Sequence, residues 1–306
     1  ASHRVNFIWA THVVHHQSEE YNLSTALRQS IFQGLMSAPF YLPLALLGFP
    51  PLMLLLTITV NTLYQFWIHT QLIRSLGPLE WVLNTPSHHR VHHGIDPQYI
   101  DKNFAGMLII WDRLFGTFQQ ERGPIHYGTV KPLKSWNPLW ANTAGWVEIL
   151  KLSSAARSLR EKLYAWIAPP EWRPASLGGS LTIARVPASR LKYSSNPYRG
   201  VSLYIAGQFI VVSTVVVLML LLQDTLPRSS ALFIVSWILA SLLAWSALSE
   251  HRAWGVALEF VRQGTFLLVT TLLLPAEIAA PVPQLVSALF AGLSLYALHE
   301  ILKRQK

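Results

Sequence analysis

The sequence contains no cysteine. That absence excludes a disulfide framework, a thiolate metal site and an iron–sulfur cluster. Any metal site must therefore be built from imidazole and carboxylate. Charge is also scarce: 13% of residues are charged and 51% are hydrophobic, whereas a soluble domain carries about a quarter charged residues. With long apolar runs, that deficit points to a membrane protein. No cleavable signal peptide is visible and residue 1 is Ala, so the chain reads as an N-terminally incomplete piece. The net charge of +9 does not signal nucleic acid, because the basic residues form no patch interleaved with aromatics.

The apolar runs give an order to the chain. Stretches 31–47 and 51–68 are separated by Gly48-Phe49-Pro50-Pro51. Both are at the short end for a spanning helix, and the Gly and Pro break fits a tight helical hairpin. A hairpin returns both ends to one side, so His69 comes back to the side of the histidines before residue 20. Residues 69–200 hold 16 of the 24 Lys and Arg against 8 acids and are too polar to span. Trp136, Trp140, Trp146, Trp166 and Trp172 suit an interfacial belt, and packing in a small soluble core explains any one of them equally well. Four apolar segments follow at 202–222, 230–248, 254–274 and 284–301. With the basic middle region in the cytoplasm, the link "SEHRA" and the ending "KRQK" fall on that same side. The opposite side keeps only Arg228, in keeping with the positive-inside rule.

Against this apolar background the histidines stand out. His12, His15 and His16 sit at i, i+3, i+4, and His89, His92 and His93 repeat the pattern 77 residues later, with His88 one step ahead. On a helix such residues share a face, so each triplet is expected to converge on a single point. Nine of the 12 histidines lie within residues 1–93. That is more ligands than one tetrahedral ion takes, and a pair of metal ions is the economical reading. A lone helical histidine is usually a structural hydrogen-bonding residue, and His126, His251 and His299 are read that way. Iron with nitrogen ligands and open positions activates O₂, and a membrane scaffold makes a lipid C–H bond the natural target. Glu19 and Glu20 follow the first triplet, where a ligand-orienting or cofactor role competes with simple surface placement. Asp101 and Asp112 follow the second; Asp112 reads as a helix-start or ion-pair residue. Glu259 and Arg262 lie inside an apolar run. Ionisable residues there default to function, yet at this spacing mutual neutralisation is the better reading.

The segments "SHRVNFIWATHVVHHQSEEYNLSTALRQS", "QFWIHTQLIRSLGPLEWVLNTPSHHRVHHG" and "DKNFAGMLIIWDRLFGTF" resemble the fatty acid hydroxylase/sterol desaturase superfamily, most closely its glyceryl-ether-cleaving branch. The resemblance covers roughly residues 1–120, more weakly through "KPLKSWNPLW". It implies a membrane di-metal oxygenase. His3 matches the second histidine of the first box, whose first histidine falls before residue 1. His12, His15 and His16 match the second box, His69 the isolated ligand, and His89, His92 and His93 the last box; the role of His88 stays open. The resemblance further implies two iron ions, with zinc able to occupy the same imidazoles. It implies a membrane lipid and O₂ as substrates, and tetrahydrobiopterin or a haem electron carrier fed by NAD(P)H as reductant, so that an electron-donor protein is an expected partner. The "QSEEYN" segment with Glu19 and Glu20 abuts the second box and is the candidate cofactor side.

The expected architecture is an all-α, multi-pass integral membrane protein. A helical hairpin and a cytosolic His-rich cap form a di-metal site, and four transmembrane helices follow. The expected parts are a catalytic domain over 1–130, an interfacial connecting region over 131–200 and a four-helix region over 201–306. The competing reading is a non-catalytic, histidine-rich metal-binding or transport protein. Transport would string its ligands through the spans, whereas here they flank the hairpin. A third reading, a degenerate homologue serving as a scaffold, is opposed by the retained boxes.

Overall fold

A computed structural model describes residues 2–187, 189–273 and 281–303. Among the described residues the secondary structure is helical, with one isolated antiparallel bridge between Leu83 and Leu108. The chain divides into two compact units. The first comprises 1–133 and 141–193, the second 134–140 and 194–306. The segment 131–200 is thus shared between the two.

In the first unit, α1 (Asn6–His16) carries the first histidine triplet. A short α2 (Leu23–Leu27) follows, opened by a capping box between Asn22 and Thr25. The helices α3 (Gln33–Leu46) and α4 (Pro51–Trp67) form the expected hairpin. Gly48 takes the left-handed conformation at φ 87°, which favours glycine, and Pro51 opens α4 where its missing N–H is harmless. Neither helix buries a residue. Leucines near the turn, Leu46 and Leu47, are 88% and 76% exposed. Each arm keeps one half-buried face and exposes apolar side chains over the rest, which suits a hairpin in lipid. At 1.5 Å per residue the arms run about 21 and about 26 Å, less than the roughly 30 Å hydrocarbon core.

The polar part of the unit then wraps back. α5 (Pro86–His92) starts with Pro86 at its first position and carries the second triplet. α6 (Ile110–Leu114) holds Asp112, whose buried carboxylate accepts from the Phe104 and Ala105 amides at 2.8 Å and from Thr117 Oγ1 at 2.6 Å. Asp112 therefore organises the 103–117 loop. α7 (Pro138–Ala155) and α8 (Leu159–Ile167) close the unit around α1. Asn6 donates from its backbone and side chain to the carbonyls of Ala168 and Ala165, and Gln17 donates to Ala141. A Cβ on Gly145 would fall 2.8 Å from Ala10 Cα, so only glycine lets α7 approach α1 this closely.

The second unit contains α9 (Val201–Leu221), α10 (Arg228–Ser249), α11 (Ala253–Gly264), α12 (Phe266–Leu273) and α13 (Pro281–Lys303). Four helical stretches among the described residues, 201–221, 228–249, 253–273 and 282–303, are long and apolar enough to cross a membrane. They match the four segments expected from the sequence, and the chain is a membrane protein. One detail differs: the third stretch is two helices, because the helix from Ala253 ends at Gly264 and restarts at Phe266. The link residues 275–280 and residues 304–306 of the basic ending lie outside the described residues.

Candidate metal centre

Helix geometry divides each histidine triplet instead of gathering it. Residues i and i+4 stay together while i+3, about 100° round from its successor, turns to the other flank. His12 and His16 thus join His3 and His92, and His89 and His93 join His15 and His69. The result is two quartets. Within each, one ring nitrogen from every histidine lies within 4.8 Å of the others. The expectation that each triplet converges on one point is corrected: each triplet serves both quartets.

Several elements aim the rings. The end of α4 delivers His69, whose Nδ1 donates to Gln65 O at 2.6 Å. His15 Nδ1 donates to Arg28 O at 3.2 Å, and His92 Nδ1 to Lys102 O at 3.3 Å. A carbonyl only accepts, so each of these rings carries its proton on Nδ1. Its Nε2 is then a bare lone pair, aimed at the cluster. His15 Nε2 lies 3.2 Å from His69 Nε2, which lies 3.1 Å from His89 Nε2. In the other quartet His12 Nε2 and His16 Nε2 are 3.2 Å apart. Two lone pairs facing each other at 3.2 Å repel unless a cation lies between them. Ligands about 2.1 Å from one ion, at tetrahedral or octahedral angles, are themselves about 3.0–3.4 Å apart. The donor set, its tautomers and its spacings fit a divalent transition metal in each quartet.

The electrostatics agree. His15, His16, His69, His89 and His93 are between 2% and 6% exposed. Burial, reinforced by neighbouring imidazoles, holds His3, His15, His16, His89 and His93 well below the ordinary histidine pKa. Burial first and His92 second bring His12 down to about 3, and burial brings His69 to about 4 against the opposing Gln65 hydrogen bond. All are neutral at pH 7, the form in which imidazole ligates. The buried atoms His3 Nε2, His89 Nδ1 and His93 Nε2 have no hydrogen-bond partner.

The other predicted residues lie elsewhere. His88 belongs to neither quartet; it is buried with its ring edge-on to Phe118. Glu19 pairs with Arg190 at 3.5 Å and accepts from the Tyr193 amide, and Glu20 pairs with Lys192 at 2.6 Å. Both carboxylates fasten the 190–193 segment. Asp101 accepts from Arg4 at 2.6 Å and stands 3.8 Å from His3 Nδ1. His126 pairs with Asp96 at 2.8 Å. His251 lies against Tyr198, and His299 is exposed.

Three supporting residues carry no signal at the level of motif. Tyr21 stacks on His69 and donates to Ile68 O at 3.0 Å. Arg28 donates to Val14 O and to Gln17. Arg90 donates to the carbonyls of Thr70, Ile73 and Arg74 and forms a two-point pair with Glu121. Their position beside the boxes, in "SEEYN", "ALRQS" and "SHHRVHH", is the one hint the sequence offers.

Residues 1–117 match the sequence model of the fatty acid hydroxylase family. The chain is 40% identical over 268 residues to the alkylglycerol monooxygenase of Xenopus tropicalis, covering 87% of this chain and 60% of the relative. It is 38% identical over 276 residues to the alkylglycerol monooxygenase of Homo sapiens, covering 88% and 60%. The ornithine lipid hydroxylase OlsE of Rhizobium tropici is 30% identical over 118 residues, covering 38% of this chain and 36% of that protein. The chain spans about three-fifths of the length of the alkylglycerol monooxygenases it matches over most of its length. No solved structure matches. The histidine-bearing N-terminal region, residues 1–117, is a fatty acid hydroxylase domain.

Proposed function

We propose that the protein is a membrane-bound monooxygenase that hydroxylates a lipid C–H bond next to an ether oxygen, using two iron ions held by the two histidine quartets. The observation that carries this reading is the pair of lone pairs on His15 Nε2 and His69 Nε2, 3.2 Å apart and sealed from solvent. When bound, iron would supply O₂ activation and the one-electron chemistry that hydroxylation of a C–H bond requires. The chain's own groups do the rest. The carbonyls of Gln65, Arg28 and Lys102 hold protons on the outer nitrogens of His69, His15 and His92 and so fix which nitrogen faces inward. Burial keeps the imidazoles neutral and excludes bulk water, which limits side reactions.

The overall stoichiometry takes one lipid, one O₂, two electrons and two protons to one hydroxylated lipid and one water. A hydroxyl on the ether carbon makes a hemiacetal, which falls apart to a fatty aldehyde and the free alcohol. The electrons come from a reduced pterin or from a haem carrier fed by NAD(P)H. The metal centre faces the cytoplasm, a reading supported by the 16 basic residues in 69–200 and by the hairpin that returns His69 to its starting side.

The test is anaerobic iron loading of the chain in membranes, followed by addition of O₂, an alkylglycerol and each reductant in turn. Fatty aldehyde with matching O₂ uptake is the expected result. Tight iron binding with no product from any ether, sterol or acyl lipid under either reductant overturns the reading.

A further inference from the structure

A cavity of about 190 Å³ lies between α1 and α3. One wall is the metal-bearing helix, through Thr11 and His12. The other is the first arm of the apolar hairpin, through Gln33 and Ser37 with Met36 and Phe40 beside them. Phe40 is 55% exposed on the side that meets lipid. The cavity therefore joins a membrane-facing helix to a histidine of the first quartet.

Its polar atoms are unusual. Thr11 is 1% exposed and its Oγ1 is buried without a hydrogen bond. Gln33 gives its Nε2 to Ser37 Oγ at 3.0 Å, which leaves its buried Oε1 unpaired. His12 turns Nε2 toward His16 at 3.2 Å, and its buried Nδ1 has no partner. Buried polar atoms in folded proteins are almost always paired, so three exceptions around one cavity call for a common explanation. Their chemistry is complementary. Gln33 Oε1 can only accept, neutral His12 with Nε2 committed can only donate from Nδ1, and Thr11 can do either. No Asp, Glu, Lys or Arg lines the cavity. A neutral hydroxyl group, which donates and accepts at one atom, satisfies this set; a bare anion is disfavoured by Gln33 Oε1 and a cation by His12 Nδ1–H.

We propose that this cavity recognises the hydroxyl-bearing polar end of the lipid, with Thr11 and Gln33 as its specificity-determining residues and His12 Nδ1–H as a third contact. The assignment deepens the lipid-hydroxylase reading and rests on it for the identity of the ligand. The hydroxyls anchor the polar end on α1 and α3, the ether carbon lies next to the quartet of His12, and the alkyl chain leaves along α3 into the bilayer.

The test compares 1-O-hexadecylglycerol with hexadecyl propyl ether, which has the same chain and ether but no hydroxyl. Dissociation constants are measured in nanodiscs without reductant, and turnover is measured separately. The wild type is expected to bind the diol at least about tenfold more tightly, since a site built to pair hydroxyls rejects an analogue that lacks them. Thr11→Val and Gln33→Leu narrow that ratio, and Thr11→Ser restores it. Metal content per chain reports that each variant is folded; Gln33, half-buried on α3, is the safer variant if Thr11→Val fails to fold. Equal binding of the two lipids by the wild type means the cavity holds only water and overturns the proposal. So does an unchanged ratio in a metal-replete Gln33→Leu. A wild type that discriminates the two lipids yet turns over neither sinks the hydroxylase reading and leaves this site standing.

Discussion

The rings of His16 and His93 stack with centroids 4.3 Å apart and planes 24° from parallel, although one belongs to each quartet. This contact sets the two quartets side by side. It exists because α1 and α5 use the same spacing and exchange their i+3 members: His15 crosses to the quartet of His89 and His93, and His92 crosses to that of His12 and His16. Neither helix completes a site alone.

Metal content therefore separates the quartets. His69 belongs to one and His3 to the other. Elemental analysis is expected to find two ions per wild-type chain, one in His69→Ala and one in His3→Ala. Turnover is lost in both. Two ions retained in His69→Ala would show that His69 is not a required ligand and would overturn its assignment to that quartet.

Arg28 supports a ligand without touching the centre. Its Nε donates to Val14 O at 2.7 Å, one of the last carbonyls of α1, which the helix itself leaves unpaired. Its own carbonyl receives His15 Nδ1–H. Removing the side chain frees that segment and loosens the ring. Loss of an outer support of this kind lowers metal affinity by about 10–100-fold. Arg28→Ala is expected to show that loss at one of two sites in a chelator competition, with the His12 quartet unaffected. A uniform loss at both sites would mean general unfolding.

Arg90 fastens the loop after His69 to α5. It is 5% exposed and serves the Thr70, Ile73 and Arg74 carbonyls and both oxygens of Glu121. Breaking a buried pair on the charged side leaves its partners stranded, at roughly 3–5 kcal/mol. Arg90→Met is expected to lower the stability of the metal-free protein by that order in a denaturant titration. Glu121→Gln, at a more exposed position, costs less. Equal effects from the two would mean that the three carbonyls contribute nothing.

How much of this was legible before the structure? The hairpin was, because Gly48 and Pro51 act locally through φ and a missing N–H. The four C-terminal helices were, because length and apolarity are read along the chain. The eight histidines were visible as residues, but their division into quartets was not, since it depends on how α1 faces α5. The interruption at Thr265 carries no Pro or Gly–Pro signal beyond Gly264. Glu19 gave no sign that its partner is Arg190, 171 positions away. Thr11 and Gln33 look like ordinary helix residues; only the cavity between them sets them apart.

Acid should destabilise the metal-free first unit, and the sign follows from the histidines. An unfolded chain protonates its imidazoles near pH 6.5, whereas the folded one resists to about 4 at His69 and about 3 at His12. Between those limits the unfolded state binds more protons, so stability falls as pH falls from about 6.5 toward 4. Above 6.5 both states are neutral at these rings and their contribution is flat. Thermal melts of the metal-free protein at pH 8, 6 and 4.5 are expected to show a Tm already lower at pH 6 than at pH 8 and a further steep drop at pH 4.5. A Tm that rises on acidification would mean that the rings are charged in the fold.

The second unit carries its own buried pair. Glu259 and Arg262 are 0% and 1% exposed. Arg262 Nε donates to Glu259 Oε2 at 2.8 Å, and a second guanidinium nitrogen reaches Glu259 Oε1 and Gln208. Tyr204 also donates to Glu259, and Gln208 accepts from Gln263 and donates to Ser294. These contacts tie α9, α11 and α13 together where water cannot compete. They also give physical form to mutual neutralisation at i, i+3. Each charge is tolerated only because the other is present, so the two substitutions must be strongly non-additive. Glu259→Gln or Arg262→Met alone is expected to destabilise the unit by roughly 3–5 kcal/mol, and the two together by less than the sum of the single losses. A double-mutant cycle on unfolding in mixed micelles measures the coupling. Additive losses would show that the two residues are held independently by Tyr204, Gln208 and Gln263, and that their charges do not need each other.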